Sequence, residues 1–165
     1  MKKSSVAEIR ERFDKDVERF SNLDTGQLTT IDAKISLELI TEAARRIVPN
    51  AEQLLDIGCG AGNYSLKMLS KLPNLECTLV DLSDPMLDKA YERVSEQTNK
   101  NVHVVKGDIR EVPLKQNHFD IILAGAVLHH LRDDQDWETT FKKIYGLLKP
   151  GGCFMISDLI TQDTE

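Results

Sequence analysis

The stretch Leu54-Leu55-Asp56-Ile57-Gly58-Cys59-Gly60-Ala61-Gly62-Asn63 constrains this chain more than any other. An apolar run interrupted by one carboxylate, then glycine at every second position, then helix-like sequence is how a buried parallel strand turns tightly over a ligand. Glycines 58, 60 and 62 remove side chains where the backbone must bend sharply and a ligand must lie against it.

The flanking sequence supplies a frame for this turn. Upstream, Val6, Ile9, Phe13, Val17 and Phe20 recur at spacings of three and four, an amphipathic helix over Ser4 to Phe20. A polar stretch, Ser21 to Thr30, leads to a second helix capped by Thr30 or Asp32, running to about Val48 and stopped by Pro49-Asn50. Downstream, the pattern predicts strands at Gln53 to Ile57, Glu76 to Asp81, Val102 to Val105, Phe119 to Ala124 and Cys153 to Ser157. Helices are expected at Tyr64 to Leu72, from Ser83-Asp84-Pro85 onward, and from about Asp134 to Leu148, with Lys149-Pro150-Gly151-Gly152 as a turn before the last strand. Any crossover helix after the third strand must fit into Gly107 to His118. The order predicts an α/β fold: a Rossmann-like, mainly parallel sheet of about five strands, helices on both faces, preceded by two N-terminal helices.

At 165 residues the chain is sized for one domain, read as an N-terminal helical lid or cap over 1–49 and a ligand-binding core over 50–165. Hydrophobic residues are 41% and charged residues 29%, and no apolar run of about 18 residues is available to span a bilayer. The start Met-Lys-Lys-Ser-Ser lacks the apolar segment of a secretion signal, and a cytoplasmic location is expected. Cys59, Cys77 and Cys153 are odd in number and widely spaced, so reduced thiols are expected. A net charge of -6 offers no basic footprint for nucleic acid. No His, Cys, Asp and Glu grouping has metal-ligand spacing, so no metal is expected.

In such sheets the ligand lies outside the carboxyl ends of the strands, where strand order reverses. The chemistry should therefore follow each strand: Asp56 to Asn63, Asp81 to Ser83, Gly107 to Ile109, Ala124 to His130, and Asp158. Asp81 ends the second strand 19 residues beyond Gly62, where ribose hydroxyls would be gripped. A dinucleotide site would want glycine or alanine where this chain has Asn63, and Asp56 beside the turn would repel a pyrophosphate. S-adenosylmethionine, with a sulfonium, an ammonium, a ribose diol and no phosphate, suits the turn better. His129 and His130 are an adjacent titratable pair near the expected site; His129 could take a substrate proton, or the two could simply bond backbone at a helix start. His103 and His118 are read as structural.

Taken together, Asp56 to Gly62, Val80-Asp81, Lys106-Gly107-Asp108-Ile109, Phe119-Asp120-Ile121-Ile122, Val127-Leu128-His129-His130-Leu131 and Leu148-Lys149-Pro150-Gly151-Gly152 resemble a class I S-adenosylmethionine-dependent methyltransferase. The branch acting on small molecules such as quinone and sterol precursors is the most similar, and tRNA-wobble-type relatives are an alternative. The resemblance implies that Gly58, Cys59, Gly60 and the neighbouring backbone face the methionine part, with Asp56 near its ammonium. It implies that Asp81 holds the ribose diol, with Leu82 and Met86 near the adenine. Asp108 would bond the adenine amino group while Ile109 packs on the ring. Ala124 and Gly125 would line the methionine end, and Asp158 would sit where the last strand opens towards substrate, or serve as a plain strand terminator. The expected reaction is in-line methyl transfer to a small-molecule acceptor, leaving S-adenosylhomocysteine; a catalytically silent cofactor-binding remnant is the other alternative. Residues around Phe13 to Gln27 are expected to form part of a lid. The family's usual antiparallel final pair of strands has no counterpart here, so the expectation is a fragment, or a homodimer covering the open edge of the last strand.

Overall fold

Short apolar runs ending in glycine or an acid become five strands in the computed structural model, which describes residues 4–22 and 33–159. They are β1 (Gln53–Ile57), β2 (Glu76–Asp81), β3 (Val102–Lys106), β4 (Phe119–Gly125) and β5 (Leu148–Ser157). Their order is β3-β2-β1-β4-β5 and every pair is parallel. The chain leaves β1 on one side for β2 and β3, then returns to its other side for β4 and β5. The reversal puts the switch point at the end of β1, directly under the glycine turn.

The described helices are α1 (Val6–Lys15), α2 (Val17–Ser21), α3 (Ala33–Ile47), α4 (Asn63–Lys71), α5 (Asp84–Ser95) and α6 (Asp134–Leu147). Successive β1 residues point to opposite faces, and both are covered, which is why Leu54, Leu55 and Ile57 are all buried instead of alternating with polar residues. On one face Leu54, Leu79 and Leu123 pack with Ala44 of α3, Met68 of α4 and Ala90 of α5. On the other, Leu55, Val80 and Ile122 pack with Ile144 and Leu147 of α6 and with Ile109 and Leu128 from the loops. Local signals agree with these positions. The Ser83 hydroxyl accepts from the Met86 N–H at 3.3 Å to start α5, and Asp133 accepts from the Asp136 N–H at 2.9 Å to start α6.

Two details differ from the expectation. The first N-terminal helix is two helices, because Asp16 leaves helical geometry (φ -121°, ψ 25°), capping α1 with an N–H bond to the Phe13 carbonyl at 3.2 Å. Aspartate competes with helix continuation in this way, and the apolar spacing runs across the break undisturbed. β5 begins at Leu148, since Lys149 to Gly152 bulge within the ladder: Phe119 pairs with Leu148 but Ile121 with Cys153. Gly152 is obligatory there, as a Cβ would lie 2.9 Å from the Asp120 carbonyl. Between β3 and β4 the described chain makes turns only, with the Glu111 and Val112 N–H groups donating to the Asp108 carbonyl. The expected caps Thr30 and Asp32 lie outside the described residues.

One polar tie secures the base of the sheet. The Asp120 carboxylate accepts from the Glu52 and Gln53 N–H groups at 3.0 and 2.9 Å and from Lys149 at 2.9 Å, joining the beginnings of β1, β4 and β5. No described helix is long and apolar enough to cross a membrane. Truncating the sheet centre should be costly: Leu55→Ala is expected to lower folding stability by about 2–5 kcal/mol, read from the shift in urea midpoint.

Candidate functional site

The glycine turn is built as the sequence implies. Gly58, Gly60 and Gly62 have φ of +63°, +50° and +81°, a region that residues with a Cβ rarely adopt. At Gly58 a Cβ would also lie 2.4 Å from Val127, whereas at Gly60 it would meet open space. Arg93 of α5 holds the turn from behind, donating to the Ala61 carbonyl at 2.6 Å and to Asn63 Oδ1 at 2.9 Å.

Asp81, at the end of β2, meets this turn side-on. Its Oδ2 accepts from the Gly60 N–H at 2.9 Å and its Oδ1 from the Ser83 N–H at 3.0 Å. Burial pushes its pKa up, and the bonds from Ser83 and Gly60 hold that rise back. The carboxylate thus fixes both the turn and the start of α5 while standing on a cavity wall.

That cavity, of about 410 Å³, opens at the carboxyl end of the sheet. Of the candidate residues, Gly58, Cys59, Gly60, Asp81, Leu82, Met86, Asp108, Ile109, Gly125 and His129 line it. Asp56 and Ala124 do not. Ala124 is fully buried in the sheet, paired with Ile57 and Ile156. Asp56 is 1% exposed beneath the turn, where Ser65 Oγ donates to its Oδ2 at 2.6 Å. Burial raises its pKa to about 7. Charge beside the glycines on the cavity side therefore comes from Asp81.

Asp108 is clamped by its neighbour but one. Arg110 grips both carboxylate oxygens at 2.9 and 2.6 Å and reaches Asp136 at 2.6 Å. Burial works to raise the Asp108 pKa, and the Arg110 bonds carry it below the usual range. At the opposite end, β4 leads into Gly125, where a Cβ would collide with the Tyr64 ring at 2.3 Å. It continues through Ala126, at φ +53°, whose N–H donates to the Ser157 carbonyl at 2.7 Å, into a 3₁₀ turn over Leu128–His130. Asp158, just past β5, organises this turn. Its Oδ2 accepts from the Leu128 and His129 N–H groups at 2.6 and 3.2 Å, and its Oδ1 lies 2.6 Å from His129 Nδ1. Burial opposes ionisation of Asp158, but the bonds from His129 and Leu159 bring its pKa below the usual carboxylate range.

α1 and α2 lie over the opening, presenting Ile9, Arg12, Phe13, Asp16 and Arg19. Of the expected lid segment, residues 23–27 lie outside the described residues. Lining residues that the sequence did not single out include Tyr64, Arg12 and Arg132. Tyr64 carried a signal only in hindsight, through the glycine at position 125 that makes room for its ring. His103 pairs with Glu76 at 2.9 Å and His118 stacks edge-on to Phe119; neither lines the cavity. Among the described residues no group of three or more His, Cys, Asp or Glu side chains could hold a metal ion.

Comparison with known proteins agrees with this geometry. A family model described as a methyltransferase domain matches residues 54–152. A malonyl-[acyl-carrier protein] O-methyltransferase from Priestia megaterium is 29% identical over 127 residues, covering 77% of this chain and 44% of the relative. A demethylmenaquinone methyltransferase from Listeria monocytogenes is 27% identical over 152 residues, covering 92% of this chain and 60% of the relative. The chain thus spans about half the length of these curated relatives. Among solved structures, the N-methyltransferase NodS from Bradyrhizobium japonicum, in complex with S-adenosyl-L-homocysteine, has the same fold: TM-score 0.66, 23% identity, covering 87% of this chain and 71% of NodS.

The buried Asp56 generates a pH test. A carboxyl whose folded pKa is raised to about 7, from about 3.9 unfolded, binds more protons in the folded state, so its stabilising contribution is complete below pH 4 and is lost as pH rises through 7. Asp81 acts in the same direction. Urea midpoints of the wild-type protein should therefore fall relative to those of Asp56→Asn between pH 4 and pH 7.

Proposed function

The chain belongs to the methyltransferase domain family, and from that membership we propose that it binds S-adenosylmethionine and passes its methyl group to a small-molecule acceptor by in-line displacement. The observation that carries this is the Asp81 carboxylate, anchored to the Gly60 N–H on the wall of a cavity floored by glycine.

The residues present fit the cofactor. Gly60 donates to one oxygen of Asp81 and Ser83 to the other, and a carboxylate with roughly four acceptor positions keeps capacity for a ribose hydroxyl. Gly58 and Gly60 would hold the methionine part, with Gly125 and the more deeply set Asp56 and Ala124 behind it. Leu82 and Met86 would flank the adenine, Ile109 would pack on its ring, and Asp108, held in place by Arg110, would meet its amino group. The cavity volume lies within the range of about 300–1,000 Å³ typical of small-molecule sites. The bound cofactor would supply a methyl group already activated by its sulfonium charge. The chain's own contribution is then to align the acceptor with that methyl and to exclude water, an effect worth up to about 7–11 kcal/mol. Ile9 and Phe13 supply the apolar cover, so α1 and α2 act as a cap, whereas α3 packs into the core with the sheet as part of the same domain.

The printed names of the two curated relatives give different acceptors, which supports a class of small acceptor and no single compound. The three cysteines are free and buried, in keeping with a reducing compartment such as the cytoplasm. Among the described residues nothing pairs with the outer edge of β5, where Ile156 is exposed; that edge supports association of a second copy.

Titration calorimetry tests the assignment. The protein should bind S-adenosylhomocysteine and not NADH, and Asp81→Ala should weaken that binding at least tenfold. Preference for NADH, or unchanged affinity in Asp81→Ala, would refute it.

A further inference from the structure

The guanidinium of Arg110 is divided between two carboxylates. Its Nε and Nη2 donate to Oδ1 and Oδ2 of Asp108 at 2.9 and 2.6 Å, and its Nη1 reaches Oδ2 of Asp136 at 2.6 Å. The Arg110 backbone N–H adds a bond to Asp108 Oδ1 at 2.9 Å. Asp136 stands in the first turn of α6, outside the cavity lining, and its Oδ2 also accepts from the Arg132 N–H at 3.1 Å. All three side chains are partly buried. Among the described residues, Asp108 Oδ1 thus takes two donors and Oδ2 one, so the acceptor position left open belongs to Oδ2.

We infer that Arg110, anchored by Asp136, fixes Asp108 as an acceptor-only group with its open position on Oδ2, and so makes the site select a nucleobase edge carrying an amino group over one carrying a carbonyl. The inference rests on the cofactor assignment above and adds a selectivity to it: a 6-aminopurine nucleoside is taken and a 6-oxopurine nucleoside is refused. Arg110 is a positioning residue, acting through Asp108.

The physical reason lies in what a carboxyl can do when it is left loose. An ionised carboxylate only accepts, so the amino group of adenine satisfies it, whereas a carbonyl in the same place sets two acceptors against each other with no bond between them. A protonated carboxyl could donate to that carbonyl, and one free to turn could move its charge away; either would blur the choice. Arg110 closes both routes. Burial favours the protonated form of Asp108, and the Arg110 bonds override it. The planar fork also stops rotation, which the single ammonium of a lysine would not do. The other charged groups around Asp108 are Lys143 and Asp136 of α6, Asp81 at the end of β2 and, lining the same cavity from the cap, Asp16 and Arg19. Lys143 is held by the Val112 carbonyl at 2.6 Å, so its charge supports ionised Asp108 from a distance.

The test uses the full chain and two ligands that differ only at the base edge, S-adenosylhomocysteine and S-inosylhomocysteine, titrated by calorimetry. Contacts to ribose and to the amino-acid part, and the titration of Asp56, Asp81, His129 and His130, act alike on both ligands and cancel in the ratio of their Kd values. The wild-type ratio should favour the adenosyl compound by about tenfold or more and stay level from pH 7.5 to pH 5.5. In Arg110→Met it should shrink to within about threefold at pH 7.5 and further at pH 5.5, where the unclamped carboxyl takes up a proton and can donate to the carbonyl. Arg110→Lys should recover part of the ratio, and Asp136→Ala should fall between wild type and Arg110→Met. Circular dichroism identifies the folded variants; should Arg110→Met not fold, Arg110→Lys and Asp136→Ala carry the comparison. Failure of the wild-type protein to bind S-adenosylhomocysteine would strike at the cofactor assignment itself. With that binding intact, equal wild-type affinities for the two ligands, or an undiminished ratio in the folded variants, would overturn the clamp.

Discussion

The hydrogen bond from the Gly60 N–H to Asp81 is the interaction on which the site depends. It joins the turn after β1 to the end of β2, so it can form only when the two strands lie in their parallel register, Ile57 beside Val80. Once formed, it fixes a backbone whose three glycines would otherwise roam over left- and right-handed conformations alike. A second bond, from the Cys59 N–H to the Val80 carbonyl at 3.0 Å, holds the same junction one residue earlier. The sheet therefore does more than support the turn; its register determines the turn's shape.

Two carboxyls at this junction have different environments. Asp81 is tethered by two N–H groups at the cavity edge, while Asp56 sits below with Ser65 as its hydrogen-bonding side chain. Burial penalises the charged form of both. The deeper group lies near the buried Cys59 thiol, whose ionisation is likewise suppressed, first by burial and then by these two carboxyls. The floor of the site is thus low in mobile charge, and polarity is concentrated where a ligand would touch.

Most of the fold was legible in the sequence because a doubly covered parallel sheet leaves continuous apolar runs, and here a glycine or an acid stands at each strand end. Those runs mark β1, β2 and β4 nearly residue for residue. The same logic identified Gly58, Asp81, Asp108 and His129 as cavity residues. What escaped it was set by contacts distant in sequence. Nothing near Asp158 indicates that it reaches back about thirty residues to His129, and the packing of Tyr64 on Gly125 is equally remote. The bulge in β5 looks like a turn because Lys149-Pro150-Gly151-Gly152 is turn chemistry, here enclosed within a ladder. Asp56 shows the converse error of scale: a carboxylate beside a glycine turn reads as a ligand contact, but the alternation of a strand sends it beneath.

The two halves of the cavity are held by strands of unequal security. Asp81 ends β2, which is hydrogen-bonded on both sides, whereas Asp158 follows β5, which among the described residues is bonded on one side only. Local fluctuations begin at such margins. Amide exchange should accordingly be faster along β5 and through the 3₁₀ turn than at the β1–β2 junction, so the wall carrying His129 can loosen and re-form while the nucleoside end stays intact.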